Sequence, residues 1–346
     1  MKQLSKRKIG IIGAGFSGLG LCYHLCKSGK VGEITLFDKA GIGGGASGIA
    51  SGLLHPYPGE EAKRSWMAKE GMEETSALLE VAAEFSGIEV AKQSGILRLA
   101  LTDKQKEKFQ KRVEISDDTE WWDEYQTKAF IPGGGYNPGI FIRSGITVHS
   151  SLYLQGLWKA CESLGAQFVK KELFSDEMEE FDQIVIAAGR GIQKFAECAF
   201  LPLAFTKGQI LVCALPHHLR NIESSLIGKG YLALSDNKDI CYLGSTYERN
   251  YLTSEPCLGT ATELIFSKMS QFIPCCSSFH VIDCLSDIRV INRKSYRPIL
   301  GKLNTKIWVM TAMGSRGLLY HGYLGKKLCD ALLDDNPGLI PAEVRV

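Results

Sequence analysis

The chain has 346 residues, and 40 basic against 38 acidic side chains leave a formal charge of +2. So even a balance argues against a dedicated polyanion binder, and 45 % hydrophobic with 23 % charged residues suits an ordinary globular protein of roughly two domains. Glycine departs from the average: there are 37 where about 24 are expected at ~7 % usage. With only 11 prolines and no Gly-X-Y period, collagen-like and low-complexity chains are excluded.

Lys2, Lys6, Arg7 and Lys8 precede an apolar stretch from Ile9, superficially like a secretory leader. Gly10, Gly13, Gly15, Gly18 and Gly20 interrupt that stretch, so it reads as strand, turn and helix instead. No other segment approaches the ~20 apolar residues of a membrane span. Eleven cysteines is an odd number, and no C-x-x-C pair occurs. A complete internal disulfide framework is therefore impossible, and a cytoplasmic protein with reduced thiols, without stable membrane insertion, is expected.

In chain order, Lys8–Ile12 is a buried parallel strand and Gly15–Lys27 a helix with an apolar face, stopped at Ser28-Gly29. Glu33–Phe37 is the next strand, completing a βαβ opening. Residues 61–87 and Asp103–Arg112 read as helices, Trp121-Trp122-Asp123 as an aromatic acidic patch, and Pro132–Gly135 as a turn. Leu152–Leu164 is helical with Gly165 as its stop, and Asp182–Gly189 is a second buried strand ending in small residues. From Gly208 the pattern turns β-like: Gln209–Ala214, then a hairpin of Tyr231–Leu234 and Ile240–Leu243, then strand candidates across Val281–Val290. A final helix spans Leu318–Leu333.

The fold class expected is α/β, α+β overall. A Rossmann-like dinucleotide-binding domain (1–89, 147–200 and 293–346) is interrupted by a mainly antiparallel β-sheet domain (90–146 and 201–292) that forms a substrate-binding cap.

Gly13-x-Gly15-x-x-Gly18 follows a strand and opens a helix. Gly13 permits the tight turn, Gly15 lets the backbone approach a pyrophosphate, and Gly18 lets the helix pack on the sheet. Phe16 and Ser17 belong to the same first turn. Asp38, 20 residues beyond Gly18 at a strand end, suits a ribose hydroxyl pair and disfavours a 2′-phosphate. The small residues from Gly43 to Gly52, including Gly45, Ala46 and Ser47, imply backbone running against a large flat ligand. A second glycine-rich loop there points to FAD rather than a nicotinamide.

These motifs resemble the D-amino-acid-oxidase-like family of FAD-dependent oxidoreductases, which includes glycine and sarcosine oxidases. The likeness runs through the opening fingerprint with Asp38-Lys39, Gly45-Ala46-Ser47-Gly48, Ala187-Ala188-Gly189, Lys207-Gly208-Gln209, Arg297–Gly301 and Gly314–Leu318. Gly52-Leu53-Leu54-His55-Pro56 and the Gly314–Leu318 stretch are also similar to the FAD domain of bifunctional tRNA wobble-uridine methylaminomethyl enzymes. The chain departs from the pattern at His149-Ser150, where Asp-Pro is usual, and at Lys294–Pro298, which lacks the usual acid.

The resemblance implies oxidation of a C–N bond in an amino-acid-like amine, by hydride transfer to the flavin and hydrolysis of the imine. It implies Arg289 as the carboxylate anchor, with Arg293 and Arg297 as rivals, and Tyr231 as a substrate-facing hydroxyl. Gly314, Ser315, Arg316, Gly317 and Leu318 would open the last helix toward the flavin, with Arg316 adding positive charge. Leu53 would line the cofactor site, and Leu173 would lie by the adenine. No cysteine occurs between Cys284 and Cys329, so FAD is expected to be non-covalent. A flavoenzyme removing a carboxymethyl group from a tRNA wobble uridine, and a non-catalytic flavin-binding interaction protein, are the alternatives. His55 has two readings, a turn former with Pro56, which is favoured, and a residue facing the front of the flavin; His217-His218 read as exposed loop residues, and Lys104, Lys106, Lys108, Lys111 and Arg112 as a solvated face rather than an RNA patch.

Overall fold

The computed structural model describes residues 7–346; Lys2 and Lys6 lie outside them. Seven α-helices are described: α1 (Phe16–Ser28), α2 (Ala68–Ser86), α3 (Asp103–Glu114), α4 (Glu124–Phe130), α5 (Ser150–Ser163), α6 (Leu258–Met269) and α7 (Gly317–Leu333). None of the described helices is long and apolar enough to cross a membrane. All eleven cysteines are free thiols.

The opening βαβ unit forms as its pattern dictates. Lys8–Ile12 lies at the middle of a six-stranded sheet between Gln183–Ile186 and Glu33–Phe37, parallel to both. Gln167–Val169 closes one edge, and the antiparallel pair Ile307–Thr311 and Ile299–Lys302 closes the other. Both faces of this sheet are covered, which is why its strands are continuous apolar runs. Ile9, Ile11 and Val185 pack among α1, α2, α5 and α7, while Ile12, Ile184 and Ile186 pack against Phe181, Ile192 and Phe195 on the other side. Gly29 ends α1 in the left-handed conformation at φ +63°.

A second sheet has eight strands, in the order His280–Asn292, Leu203–Ala214, Ile240–Gly244, Tyr231–Leu234, Ser225–Ile227, Ile96–Leu99, Gly139–Ile142 and Thr119–Trp122. Its pairs are antiparallel except where Ser225–Ile227 meets Ile96–Leu99. Strand alternation decides its two faces. Leu211, Cys213, Leu232, Leu234, Cys241 and Leu243 pack with Ala261, Ile265 and Met269 of α6, leaving Ile210, Tyr231 and Gly244 to face the other way. A three-stranded sheet of Leu53–Leu54, Ile146–Val148 and Ala91–Lys92 lies at the crossings between the other two.

One local expectation is corrected, and one patch gains a structure. The helix expected over 61–87 begins only at Ala68, because the chain turns with Ala62 and Met67 in left-handed conformations, φ +47° and +46°. The Trp121-Trp122-Asp123 patch is a strand end followed by a helix start: Asp123 and Gln126 exchange hydrogen bonds as a capping box for α4.

His321 on α7 is wholly buried. Its Nε2 lies 2.6 Å from the Tyr153 hydroxyl, and its Nδ1 lies 3.1 and 3.0 Å from the carbonyls of Gly317 and Leu318. Carbonyls only accept, so Nδ1 carries the proton and Nε2 accepts from Tyr153. Burial lowers its pKa to about 4. Between that value and the unfolded ~6.5 the unfolded chain binds more protons, so stability is full above the upper limit and is lost as pH falls toward the lower. The expected loss is on the order of 3 kcal/mol. Urea unfolding from pH 7.5 to 4.5 measures it, and the slope should flatten in His321→Gln; an unchanged slope there assigns the acid lability elsewhere.

Candidate active site

A cavity of about 1010 Å3 opens between the carboxyl ends of the parallel strands and the free face of the eight-stranded sheet. This is where an open α/β sheet places its ligands. Gly13, Gly15, Phe16, Ser17, Asp38, Lys39, Gly45, Ala46, Ser47, Gly52, Leu53, Leu173, Ala188 and Gly189 line it, as do Gly314, Ser315, Arg316, Gly317, Leu318, Tyr231 and Arg289. Gly18 does not reach the lining; a Cβ there would sit 1.8 Å from the Gly13 carbonyl oxygen. Its contribution is the close packing of α1 on the preceding turn. Gly13 itself has φ +110°, and its Cβ would meet the Ala187 carbonyl oxygen at 2.3 Å.

Two helix N-termini open onto this one cavity. No acidic residue occupies the first turn of α1 or α7, and neither cap residue, Gly15 or Arg316, makes a side-chain cap bond. For α1 the loop substitutes, since the Ser47 Oγ accepts from the Phe16 N–H at 3.1 Å. Such termini attract negative charge. Asp38 does more than line the wall: its carboxylate accepts from the N–H groups of Ala14 at 2.9 Å, Ala40 at 2.8 Å and Gly41 at 3.3 Å. Lys39 and Lys194 both pair with Glu172, at 3.3 and 2.6 Å, which carries the neighbouring Leu173 to the wall. Gly52, at φ +77°, passes so close to the Ile146–Val148 strand that a Cβ would lie 1.7 Å from the Val148 carbonyl oxygen.

At the other end of the cavity stand Tyr231 and Arg289. Burial raises the Tyr231 pKa, opposed by Ser51, Arg289 and Ser245, so the phenol stays protonated. Arg289 Nη2 donates to the Thr246 carbonyl at 3.0 Å, and the guanidinium lies 5.7 Å from the centre of the Tyr247 ring. Gly208 makes the room, because a Cβ there would come within 2.5 Å of that nitrogen. Among the described residues no carboxylate lies within 4.0 Å of Arg289 or Arg316. The rivals Arg293 and Arg297 do not line the cavity; Arg297 stacks 5.7 Å from the Trp66 ring instead.

Several wall residues escape sequence reasoning. Arg98 is buried on the Ile96–Leu99 strand, donates to the carbonyls of Tyr57 and Gly59, and has its Nε unpartnered. A single cation in the run Ile96-Leu97-Arg98-Leu99 was its one sequence signal. Burial lowers its pKa to about 10, still charged at neutral pH. His55, which the sequence did single out, forms the expected turn, accepting from the Tyr57 N–H at 3.3 Å, and also lines the cavity. Desolvation and then the Arg98 charge lower its pKa to about 3, so it is neutral. Asp287, two residues before Arg289, lies 3.6 Å from Arg190, and burial raises its pKa. Removing the Arg98 charge strands two carbonyls, so Arg98→Met should cost roughly 2–4 kcal/mol of stability. Urea unfolding checks this; a loss within experimental error would show that the loop of residues 55–65 does not depend on it.

Backbone pressed against the cavity, two helix starts with no acidic residue in their first turns and a Cβ-free turn define a dinucleotide-binding α/β protein, and the wall of small residues from Gly45 to Ser47 fits the flavin type. The chain belongs to the FAD dependent oxidoreductase family, which matches it from residue 8 to residue 331. It is 21 % identical over 345 residues to glycine oxidase of Bacillus licheniformis, covering 93 % of this chain and 92 % of that one. It is 22 % identical over 285 residues to a tRNA 5-methylaminomethyl-2-thiouridine biosynthesis bifunctional protein of Leptospira interrogans, covering 73 % of this chain and 42 % of that protein. The structure of glycine oxidase from Geobacillus kaustophilus superimposes with a TM-score of 0.82 at 19 % identity, covering 95 % of each chain. The fold is therefore that of the FAD-dependent oxidases.

Proposed function

We propose that the chain oxidises the C–N bond of an amino-acid-like amine. The observation that carries this reading is Arg289, a guanidinium on the cavity wall with no carboxylate partner within 4.0 Å among the described residues. A planar, permanently charged fork suits a substrate carboxylate. The protonated Tyr231 hydroxyl, near Ser51 and Ser245, donates a hydrogen bond that orients the bound molecule. FAD, when bound, would supply the two-electron sink for oxidation at the carbon that bears the nitrogen.

The residues of 1–89, 147–200 and 293–346 would hold that cofactor without a covalent link. Gly13, Gly15, Phe16 and Ser17 would receive the pyrophosphate at α1, Asp38 and Lys39 the ribose, and Leu173 the adenine. Gly45, Ala46, Ser47, Gly52, Leu53, Ala188 and Gly189 would flank the rest, and Gly314–Leu318 would offer the positive start of α7, with Arg316, to negative charge on the cofactor. The segments 90–146 and 201–292 form the cap that excludes water over the reacting carbon.

Anaerobic mixing of the FAD-loaded protein with a panel of amines tests the reading, with bleaching of the flavin as the expected result. A protein that binds FAD but is bleached by no amine sinks it and favours a flavin-holding interaction protein. The likeness to the tRNA-modifying relative supports a second reading, removal of a carboxymethyl group from a wobble uridine. Tight tRNA binding that weakens steeply with salt would favour that one.

A further inference from the structure

The wall that carries Arg289 holds more positive charge than one carboxylate requires. Lys268 on α6 and Lys229, in the turn before Tyr231, line the same cavity. Lys268 Nζ donates to the Ser245 carbonyl at 2.7 Å, and Arg289 Nη2 donates to the Thr246 carbonyl at 3.0 Å. The two cationic heads thus hang from consecutive peptide units, whose Cα atoms are about 4 Å apart. Burial first, then the charges of Arg289 and Lys229, lower the Lys268 pKa.

Among the described residues no carboxylate lies within 4.0 Å of Lys229, Lys268 or Arg289. Glu248 offsets part of the repulsion at Lys268 from a distance, but its carboxylate is held by the Thr246 hydroxyl at 2.6 Å and the Gln209 amide at 2.9 Å rather than paired with the lysine. Like charges held together in a partly desolvated wall are unfavourable until an anion arrives. A single carboxylate gripped by Arg289 leaves both lysines without a carboxylate in contact.

We infer that the substrate carries two anionic groups, one carboxylate on Arg289 and a second on Lys268, with Lys229 assisting at the mouth. The molecule is then an amine dicarboxylate, such as an acidic amino acid or an N-carboxymethyl amino acid. For the reaction this rests on the amine-oxidising reading above, but the binding claim does not depend on turnover.

The test titrates the FAD-loaded protein with unreactive acids of matched length, glutarate against valerate, by calorimetry at pH 7.5. Glutarate should bind at least tenfold more tightly, and the advantage should fall to within twofold in Lys268→Met and shrink in Lys229→Met. Equal affinities, or an advantage that survives both substitutions, overturn the inference. Lys229 is exposed, so that variant gives the answer if the Lys268 variant misfolds. A parallel arm compares flavin bleaching by iminodiacetate and by glycine. Glutarate selectivity without bleaching by any amine upholds the dianion site and sinks only the oxidase reading; bleaching by both amines at equal kcat/KM, without glutarate selectivity, overturns the dianion site alone.

Discussion

Gly18→Ala yields a protein that loses its flavin. The added methyl would lie 1.8 Å from the Gly13 carbonyl oxygen, far inside any real carbon–oxygen contact, and the obstacle is backbone rather than a mobile side chain. The Gly13 turn cannot yield easily, because it is held at φ +110° against Ala187 and its amide donates to the Phe37 carbonyl at 2.7 Å. The start of α1 must therefore tilt away, carrying the Phe16 and Ser17 amides off the cavity wall. At least a hundredfold loss in FAD affinity is expected, about 3 kcal/mol, read by flavin fluorescence titration. Gly29→Ala is the matched control. Gly29, unlike Gly18, is left-handed, but its Cβ meets open space, so that variant loses about 1 kcal/mol of stability and keeps its flavin. A Gly18→Ala protein that binds FAD normally would mean that the α1 turn does not cradle the cofactor.

Arg289→Met lowers kcat/KM for a carboxylate-bearing amine by about a thousandfold, equivalent to ~4 kcal/mol, while FAD affinity changes little. The loss is large because a charge-assisted fork in a partly desolvated wall is replaced by a side chain without a donor. Amines lacking the carboxylate should lose far less, which separates a binding anchor from general damage to the fold. Gly208→Ala is expected to act in the same direction but more weakly, since its Cβ would crowd the movable guanidinium tip at 2.5 Å. Stopped-flow reduction rates across substrate concentration give both constants. A carboxylate substrate processed by Arg289→Met at the native rate would remove Arg289 from the site.

Local signals carried the cofactor half of the molecule. Gly13, Gly15, Gly18 and Asp38 fall within one strand–turn–helix–strand unit, where each requirement is met by neighbours in the chain. The substrate half was less legible. Tyr231 and Arg289 were reached through family resemblance, because the alternation of a strand says which side chains share a face but not what that face meets. Arg98, Lys229, Lys268 and Asp287 come from separate segments, and no spacing links them. The loop of 61–67 failed as a helix for a related reason: its composition is helical, but Arg98 and Arg112 engage its surroundings through the carbonyls of Tyr57, Gly59 and Ala62.

The glycine excess shows where the division falls. Five glycines in residues 10–20, seven in 41–59, then Gly189, Gly191, Gly301, Gly314 and Gly317 make 17 of the 37, in segments that the sequence alone ties to a large flat cofactor. Requirements of that kind are written in the backbone itself, through positive φ or the absence of a Cβ, so residue type reveals them. Tertiary structure decided which cations reach the cavity without a carboxylate partner among the described residues. Arg289 stands there while Arg297 is spent on Trp66, and Lys268 joins it from a helix of another segment. Charge balance at a site is a sum over neighbours in space, and only the packing of the two sheets determines who those neighbours are.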